Sequence, residues 1–166
     1  MKTEVYLSLG SNLGNRKIHL SEAIRRLSAE AGRITDCSSL YETESWGYRD
    51  KSLYLNQVVR LETEESPMTL QTIIHAIETS LGRKRSSTGY EARTLDIDIL
   101  LYGQTVLTLP LLQIPHPRMH LRKFVLIPLC EIAPKLIHPV FQKSMQALLL
   151  ECEDELSVSV LQEKWR

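Results

Sequence analysis

The order of periodicities along the 166 residues predicts an α+β fold of the ferredoxin-like kind: an antiparallel βαββαβ sheet backed by helices on one face, the open face forming the active site, with a C-terminal extension. Three observations carry this. Short apolar runs bounded by Gly, Asn and Ser alternate with two segments whose apolar residues recur at three-and-four spacing. Two strand-like runs lie between those two helical segments, and a third follows the second helix. The chain shows no linker, repeat or low-complexity tract, so residues 1–166 are expected to form a single domain.

Residues 5–9 are a compact apolar run ended by Gly10-Ser11-Asn12, the pattern of a strand entering a loop. The loop Gly10 to Gly14 lacks the GK[ST] ending of a Walker sequence and the spacing of GxGxxG, so it reads as a tight strand-to-helix turn. Asn15 can cap the helix that follows, in which Leu20, Ala23, Ile24, Leu27 and Ala31 share one face until Gly32 stops the pattern. Residues 34–41 and 53–63 are then expected to be strands. The second alternates Leu53, Leu55, Val59 and Leu61 with Tyr54, Asn56, Val58 and Arg60. Ser66-Pro67 supplies a cap and a first-turn proline for a second helix, with a stripe of Leu70, Ile73, Ile74, Ile77 and Leu81 closed by Gly82.

The third strand lies in RTLDIDILLYG, residues 93–103. Side chains two apart on a strand point the same way and sit roughly 6 to 7 Å apart. Asp96 and Asp98 therefore share one face, and Leu95, Ile97 and Ile99 the other. Removing two carboxylates from water costs several kcal/mol unless a charge compensates, in the range of about 2 to 7 kcal/mol for a polar group alone. A hard divalent cation such as Mg²⁺, which takes one or two carboxylates and completes its shell with water and phosphate, suits the pair. A DxD on a strand is by itself more often a solvated strand face. Its neighbours favour the metal: Arg83, Lys84, Arg85 and Arg93 bracket the small polar run Ser86-Ser87-Thr88-Gly89, expected to be mobile, and meet one anion, Glu91. That composition fits a polyphosphate. A second basic segment, residues 114–124, carries His116, Arg118, His120, Arg122 and Lys123. Tyr54 and Asn56 offer a flat ring beside an amide that donates and accepts, a pairing suited to a planar heterocycle.

Lys+Arg and Asp+Glu are both 20, so the formal net charge is zero. Any anion site must be local, and neither nucleic acid nor a membrane is an expected partner. Cys37, Cys130 and Cys152 show no CxxC spacing and are expected to be core thiols. Without a basic leader or a spanning apolar run near the N-terminus, a cytoplasmic location is expected.

The ordered set GSN (10–12), YETESWG (41–47), YLNQV (54–58), ETSLGR (78–83), RTLDIDILLYG (93–103) and PHPRMHLRKFVLIPL (115–129) resembles the 6-hydroxymethyl-7,8-dihydropterin pyrophosphokinase family of folate biosynthesis. The resemblance runs from about residue 5 to residue 139. It implies Mg²⁺-dependent transfer of the terminal pyrophosphate of ATP to the pterin hydroxymethyl group, releasing AMP, by a monomer. Asp96 and Asp98 match the family's metal-binding aspartates, which hold two Mg²⁺ ions. Arg83 and Arg93 match catalytic loop arginines that close over the phosphates. Arg85, His116 and Arg122 match further ATP contacts, and Glu78 and Ile99 its adenosine side. Tyr54 and Phe124 match the rings that sandwich the pterin, Asn56 its hydrogen-bonding partner, and Thr43 with Ser45 and Trp46 the segment at its polar edge. The chain departs from the family at Glu44-Ser45 and at Tyr90-Glu91-Ala92, where prolines are usual, so both loops gain freedom. Beyond Val140 the resemblance fades, and the acidic run 151–155 is expected to be a solvated edge.

Two other classes remain in view. An RNA-binding sheet would need the RNP1 pattern, which this sequence lacks. A metal-dependent phosphohydrolase would use the same aspartates with water as nucleophile.

Overall fold

A computed structural model describes residues 1–44, 53–82 and 94–162, with Gln162 described by its backbone. The elements in order are β1 (Thr3–Ser11), α1 (Arg16–Glu30), β2 (Arg33–Cys37), β3 (Leu40–Thr43), β4 (Tyr54–Thr63), α2 (Pro67–Ser80), β5 (Asp96–Tyr102), β6 (Leu107–Leu109), β7 (Leu112–Ile114), a 3₁₀ turn at Met119–Leu121, α3 (Lys123–Ile132), α4 (Met145–Glu151) and β8 (Val158–Gln162). Among the described residues the main sheet has the order β5-β1-β4-β3-β8, with β2 also paired to β4. Every pairing in it is antiparallel.

The helix starts follow the local chemistry. The Asn15 side chain accepts from Ile18 N at 3.1 Å to cap α1, and Ser66 Oγ accepts from Thr69 N at 3.2 Å to cap α2, which begins with Pro67. Leu20, Ala23 and Leu27 of α1 and Leu70, Ile74 and Ile77 of α2 pack on Val5, Leu7, Leu9, Leu55, Val59, Leu61, Ile97 and Ile99. This is the expected helix-backed face.

The opposite face is only partly open, which corrects the expectation of a bare sheet. Val125, Leu126 and Leu129 of α3 and Met145 and Leu148 of α4 close a second core over Tyr6, Val58, Leu100 and Leu101. A register shift in β5 adds a residue to this core. Tyr6 pairs with Leu101 but Leu7 with Ile99, so one extra residue lies in β5 at Leu100. Leu101 consequently joins Leu100 in the second core, and Tyr102 packs against the first. Asp96 and Asp98 precede the shift and keep the face that strict alternation assigns them.

The single strand expected over residues 34–41 is two. Cys37 pairs with Val59 while Tyr41 pairs with Asn56, so the bend at Ser38-Ser39 absorbs an extra residue. Ser38 Oγ accepts from Val58 N at 3.0 Å, and the Glu131 carboxylate accepts from Ser39 N at 2.9 Å and from Tyr41 Oη at 2.7 Å. The bend is thereby tied to α3. The cysteines are half-buried at the margins of the two cores rather than inside them.

Gly32 carries the turn from α1 into β2. A Cβ there would lie 2.1 Å from the Glu62 carbonyl oxygen, which belongs to a backbone held between β1 and β2. We expect Gly32→Ala to cost about 3 kcal/mol and to lower the melting temperature by roughly 6 to 12 °C. Calorimetry showing a shift of less than about 2 °C would mean that the strand moves away at little cost.

Candidate active site

The partly open face is built from rows of facing residues. Asp96 pairs with Gly10, Gly10 with Asn56, and Asn56 with Tyr41; the neighbouring row runs from Asp98 through Ser8 to Val58. Facing residues of antiparallel strands project from the same side of the sheet. Asp96 and Asn56 thus stand on the same side, on strands about 10 Å apart with β1 between them. Gly10 contributes no side chain to the interval. A Cβ at that position would sit 3.0 Å from Asn56 Oδ1 and 3.7 Å from Tyr54 Cδ1, so glycine is what keeps the gap clear.

On the β4 side of this gap Asn56 is buried, and its Nδ2 donates to Thr43 Oγ1 at 2.6 Å. Thr43, itself buried, pairs with Tyr54 across the strands. The bond to Thr43 orients the amide and leaves Oδ1 toward Gly10. Tyr54, two residues before Asn56, is half-exposed on the same face. A planar ring with donors and acceptors on one edge can lie against Tyr54 and be read by Asn56.

The β5 side carries the charge. Asp96 and Asp98 are half-buried. Among the described residues no group of three or more His, Cys, Asp or Glu side chains converges on one point. Two carboxylates, with no third such ligand among the described residues, suit Mg²⁺, which draws its remaining ligands from water and phosphate, better than a closed zinc site.

Glu78 is buried in α2, and its Oε2 accepts from Ile97 N, midway between the two aspartates, at 2.9 Å. β5 ends the sheet order, so this carboxylate occupies a main-chain donor that no neighbouring strand among the described residues takes. Ile99 is buried in the helix-backed core. The two residues that the resemblance links to adenosine therefore lie on the far side of β5 from the aspartates.

His116 and Arg122 close the site from the segment after β7. His116 N donates to Leu100 O at 2.9 Å, anchoring the segment to β5. Arg118 N donates to His116 Nδ1 at 3.1 Å, so the ring proton resides on Nε2. Burial first, then the Arg122 guanidinium, push the His116 pKa down to about 4, against the opposing pull of Asp96 and with a smaller push from Arg118. His116 is accordingly neutral at pH 7 and offers one N–H. The guanidinium carbon of Arg122 lies 5.6 Å from the centre of the Phe124 ring, a cation–π distance. Phe124, in the first turn of α3, is half-buried at the edge of the second core.

The structure thus gathers Asp96, Asp98, Asn56, Thr43 and Tyr54 on one sheet face and brings His116 and Arg122 toward Asp96. Arg83, Arg85, Arg93, Ser45 and Trp46, and with them the expected mobile segment 86–89, lie outside the described residues. Ser8 was not singled out by sequence reasoning, and Gly10, expected to open a strand-to-helix turn, lies within β1; their alternation with Leu7 and Leu9 marks the face they occupy. The acidic run is more than the solvated edge expected of it. Asp154 is half-buried, accepting from Lys123 N at 3.0 Å and from Leu156 N at 3.0 Å, and so supplies the side-chain cap that Arg122, the capping residue of α3, does not make.

Comparison with known proteins is consistent along most of the chain. The family model described as 7,8-dihydro-6-hydroxymethylpterin-pyrophosphokinase matches residues 6–134. A 2-amino-4-hydroxy-6-hydroxymethyldihydropteridine pyrophosphokinase of Porphyromonas gingivalis is 46% identical over 138 residues, covering 81% of this chain and 93% of its own. Proteins with the same description are 39% identical over 142 residues in Aquifex aeolicus, covering 86% and 88% of the two chains, and 41% identical over 133 residues in Bacillus subtilis, covering 80% and 79%. The Plasmodium falciparum HPPK-DHPS structure with pterin and p-hydroxybenzoate superposes with a TM-score of 0.72 at 17% identity, over 91% of this chain. This chain covers 42% of that longer one, and the likeness concerns the fold.

Proposed function

Because the chain belongs to the 7,8-dihydro-6-hydroxymethylpterin-pyrophosphokinase family, we propose that the gap floored by Gly10 is where its two substrates meet, with the pterin on the β4 side and the ATP phosphates on the β5 side. The chain is a pyrophosphokinase of folate biosynthesis, with ATP as co-substrate and the hydroxymethyldihydropterin as acceptor. The hydroxymethyl oxygen bonds to the β-phosphorus as the bridge to the α-phosphate breaks, so AMP leaves and the hydroxyl gives up its proton. One observation carries the placement: Asp96 and Asn56 flank a glycine in a single row of the sheet.

In this reading Asp96 and Asp98 hold Mg²⁺, two ions by the family pattern, whose chemistry is to orient the phosphates and neutralise their charge. Asn56 hydrogen-bonds the pterin edge, with Thr43, Ser45 and Trp46 lining that edge, and Tyr54 and Phe124 stack on its faces. His116 donates to a phosphate oxygen through Nε2, and Arg122 and Arg85 pair with the triphosphate. Arg83 and Arg93 close over it. Glu78 and Ile99 serve the adenosine side, Ile99 through its main chain, since its side chain is buried. No helix among the described residues is long and apolar enough to cross a membrane. A monomer acting as one domain in the cytoplasm, the compartment that supplies ATP, completes the proposal.

Incubation with ATP and Mg²⁺ tests transfer against hydrolysis. AMP should form only when the hydroxymethyldihydropterin is added, and steady phosphate release without it would overturn the assignment of the site. Phe124→Ala tests the stacking. A half-buried ring at the margin of a core should cost about 1 to 2 kcal/mol, less than the roughly 3 to 5 kcal/mol of a fully buried one. Pterin affinity in the presence of a non-hydrolysable ATP analogue should fall about tenfold to a hundredfold. A large loss of melting temperature with unchanged affinity in the folded fraction would make Phe124 packing alone.

A further inference from the structure

We propose that Asp154, beyond the residues matched by the family, is a positioning residue for the pterin side of the site, acting through the first turn of α3. The inference rests on the reading that Phe124 contacts substrate. A helix N-terminus leaves several main-chain N–H groups without intrahelical partners, and a neighbouring side chain ordinarily accepts from one of them. The residue in the capping position of α3, Arg122, makes no side-chain capping bond. Asp154 supplies it from 31 positions further along the chain, with Oδ2 accepting from Lys123 N at 3.0 Å. Its negative charge also faces the positive end of the helix dipole. The other oxygen, Oδ1, accepts from Leu156 N at 3.0 Å, so the carboxylate is pinned from both sides.

Residues 157–162 extend the brace to the opposite wall. Ser157 N donates to Glu44 Oε1 at 3.2 Å. β8 then pairs with β3, placing Val158 opposite Thr43 and Val160 opposite Tyr41. Thr43 is the residue that orients Asn56. One short segment therefore ties the turn carrying Arg122 and Phe124 to the strand that supports the pterin-reading amide. The family model ends at residue 134, so this brace lies outside the matched region while bearing on residues within it.

The test is a double-mutant cycle on the full chain. Pterin affinity is measured with the non-hydrolysable ATP analogue and Mg²⁺ for Asp154→Ala, Phe124→Ala and the double variant. Loss of a cap should weaken pterin binding about fivefold in Asp154→Ala, and Asp154→Asn, which keeps one acceptor oxygen for the two N–H groups, should recover only part of it. In the Phe124→Ala background the same Asp154→Ala change should alter affinity by less than about twofold, because the ring through which it acts is gone. Leu156→Pro, which removes the N–H that pins Oδ1 and also fixes φ at that residue, should shift affinity the same way and serves if Asp154→Ala does not fold. An undiminished Asp154 effect without Phe124 overturns the proposal, as does unchanged affinity in Asp154→Ala, or in Leu156→Pro where that variant stands in. Phe124→Ala binding pterin normally removes the stacking reading itself, whereas a weakened Phe124→Ala beside a silent Asp154→Ala removes only the positioning role.

Discussion

Turnover should fall by roughly a hundredfold or more in Asp96→Asn and in Asp98→Asn, with the fold intact. Each change keeps the shape of the side chain and removes one negative charge from the pair that precedes the register shift in β5. With two carboxylates and no convergent third ligand among the described residues, losing either would halve the charge that these residues offer a bound metal. Stability should hold or rise, since the two like charges lie on one strand face and their repulsion is relieved. Steady-state assays over a wide Mg²⁺ range, paired with thermal melts, separate the possibilities. Near wild-type turnover at ordinary Mg²⁺ would remove the aspartates from the metal site. A parallel collapse of melting temperature would make them structural.

Glu78→Ala should be damaging for a different reason. The buried carboxylate is the acceptor for Ile97 N, on the edge strand between the two aspartates. Truncation leaves that N–H without this acceptor and opens a cavity beside α2, which together should cost about 3 to 5 kcal/mol. Because the strand that loosens is the one presenting Asp96 and Asp98, turnover should drop further than the folded fraction does. Glu78→Gln keeps an acceptor of the same shape and should lose only about 1 kcal/mol. Hydrogen exchange at the Ile97 amide gives the direct readout. Protection equal to wild type in Glu78→Ala would show that the bond contributes nothing to the edge of the sheet, and the role in holding β5 would be lost with it.

Both changes act on one strand, and only one of them was foreseeable in its mechanism. That Asp96 and Asp98 share a face follows from the two-residue repeat of any strand. That a glutamate 19 positions earlier holds the strand between them does not. As an exposed helical residue or an adenosine contact it would have the same letter in the sequence, and only packing decides that α2 turns it toward Ile97. Phe124 shows the intermediate case. Its place in an apolar run suggested either core or clamp, and the structure sets it at the margin of the second core with Arg122 over its ring.

The elements themselves were legible because their signals are local: Asn15 and Ser66 cap within three residues, the helical stripes repeat every three or four positions, and the DxD strand alternates. By itself the sequence determined the helix-backed half of the sheet, the face on which Asp96, Asp98, Tyr54 and Asn56 lie, and, through six ordered motifs, the family. Tertiary structure decided what depends on one extra residue or on a distant partner. The extra residue at Leu100 turns Leu101 onto the face that alternation gives Leu100, and both join the second core with α3 and α4. The extra residue at Ser38-Ser39 splits one expected strand into two. Asp154 caps a helix that begins 31 positions before it. A bulge shifts register without changing composition, and an unpaired helix end accepts any carboxylate that the fold delivers to it, so neither is written in a pattern short enough to read along the chain.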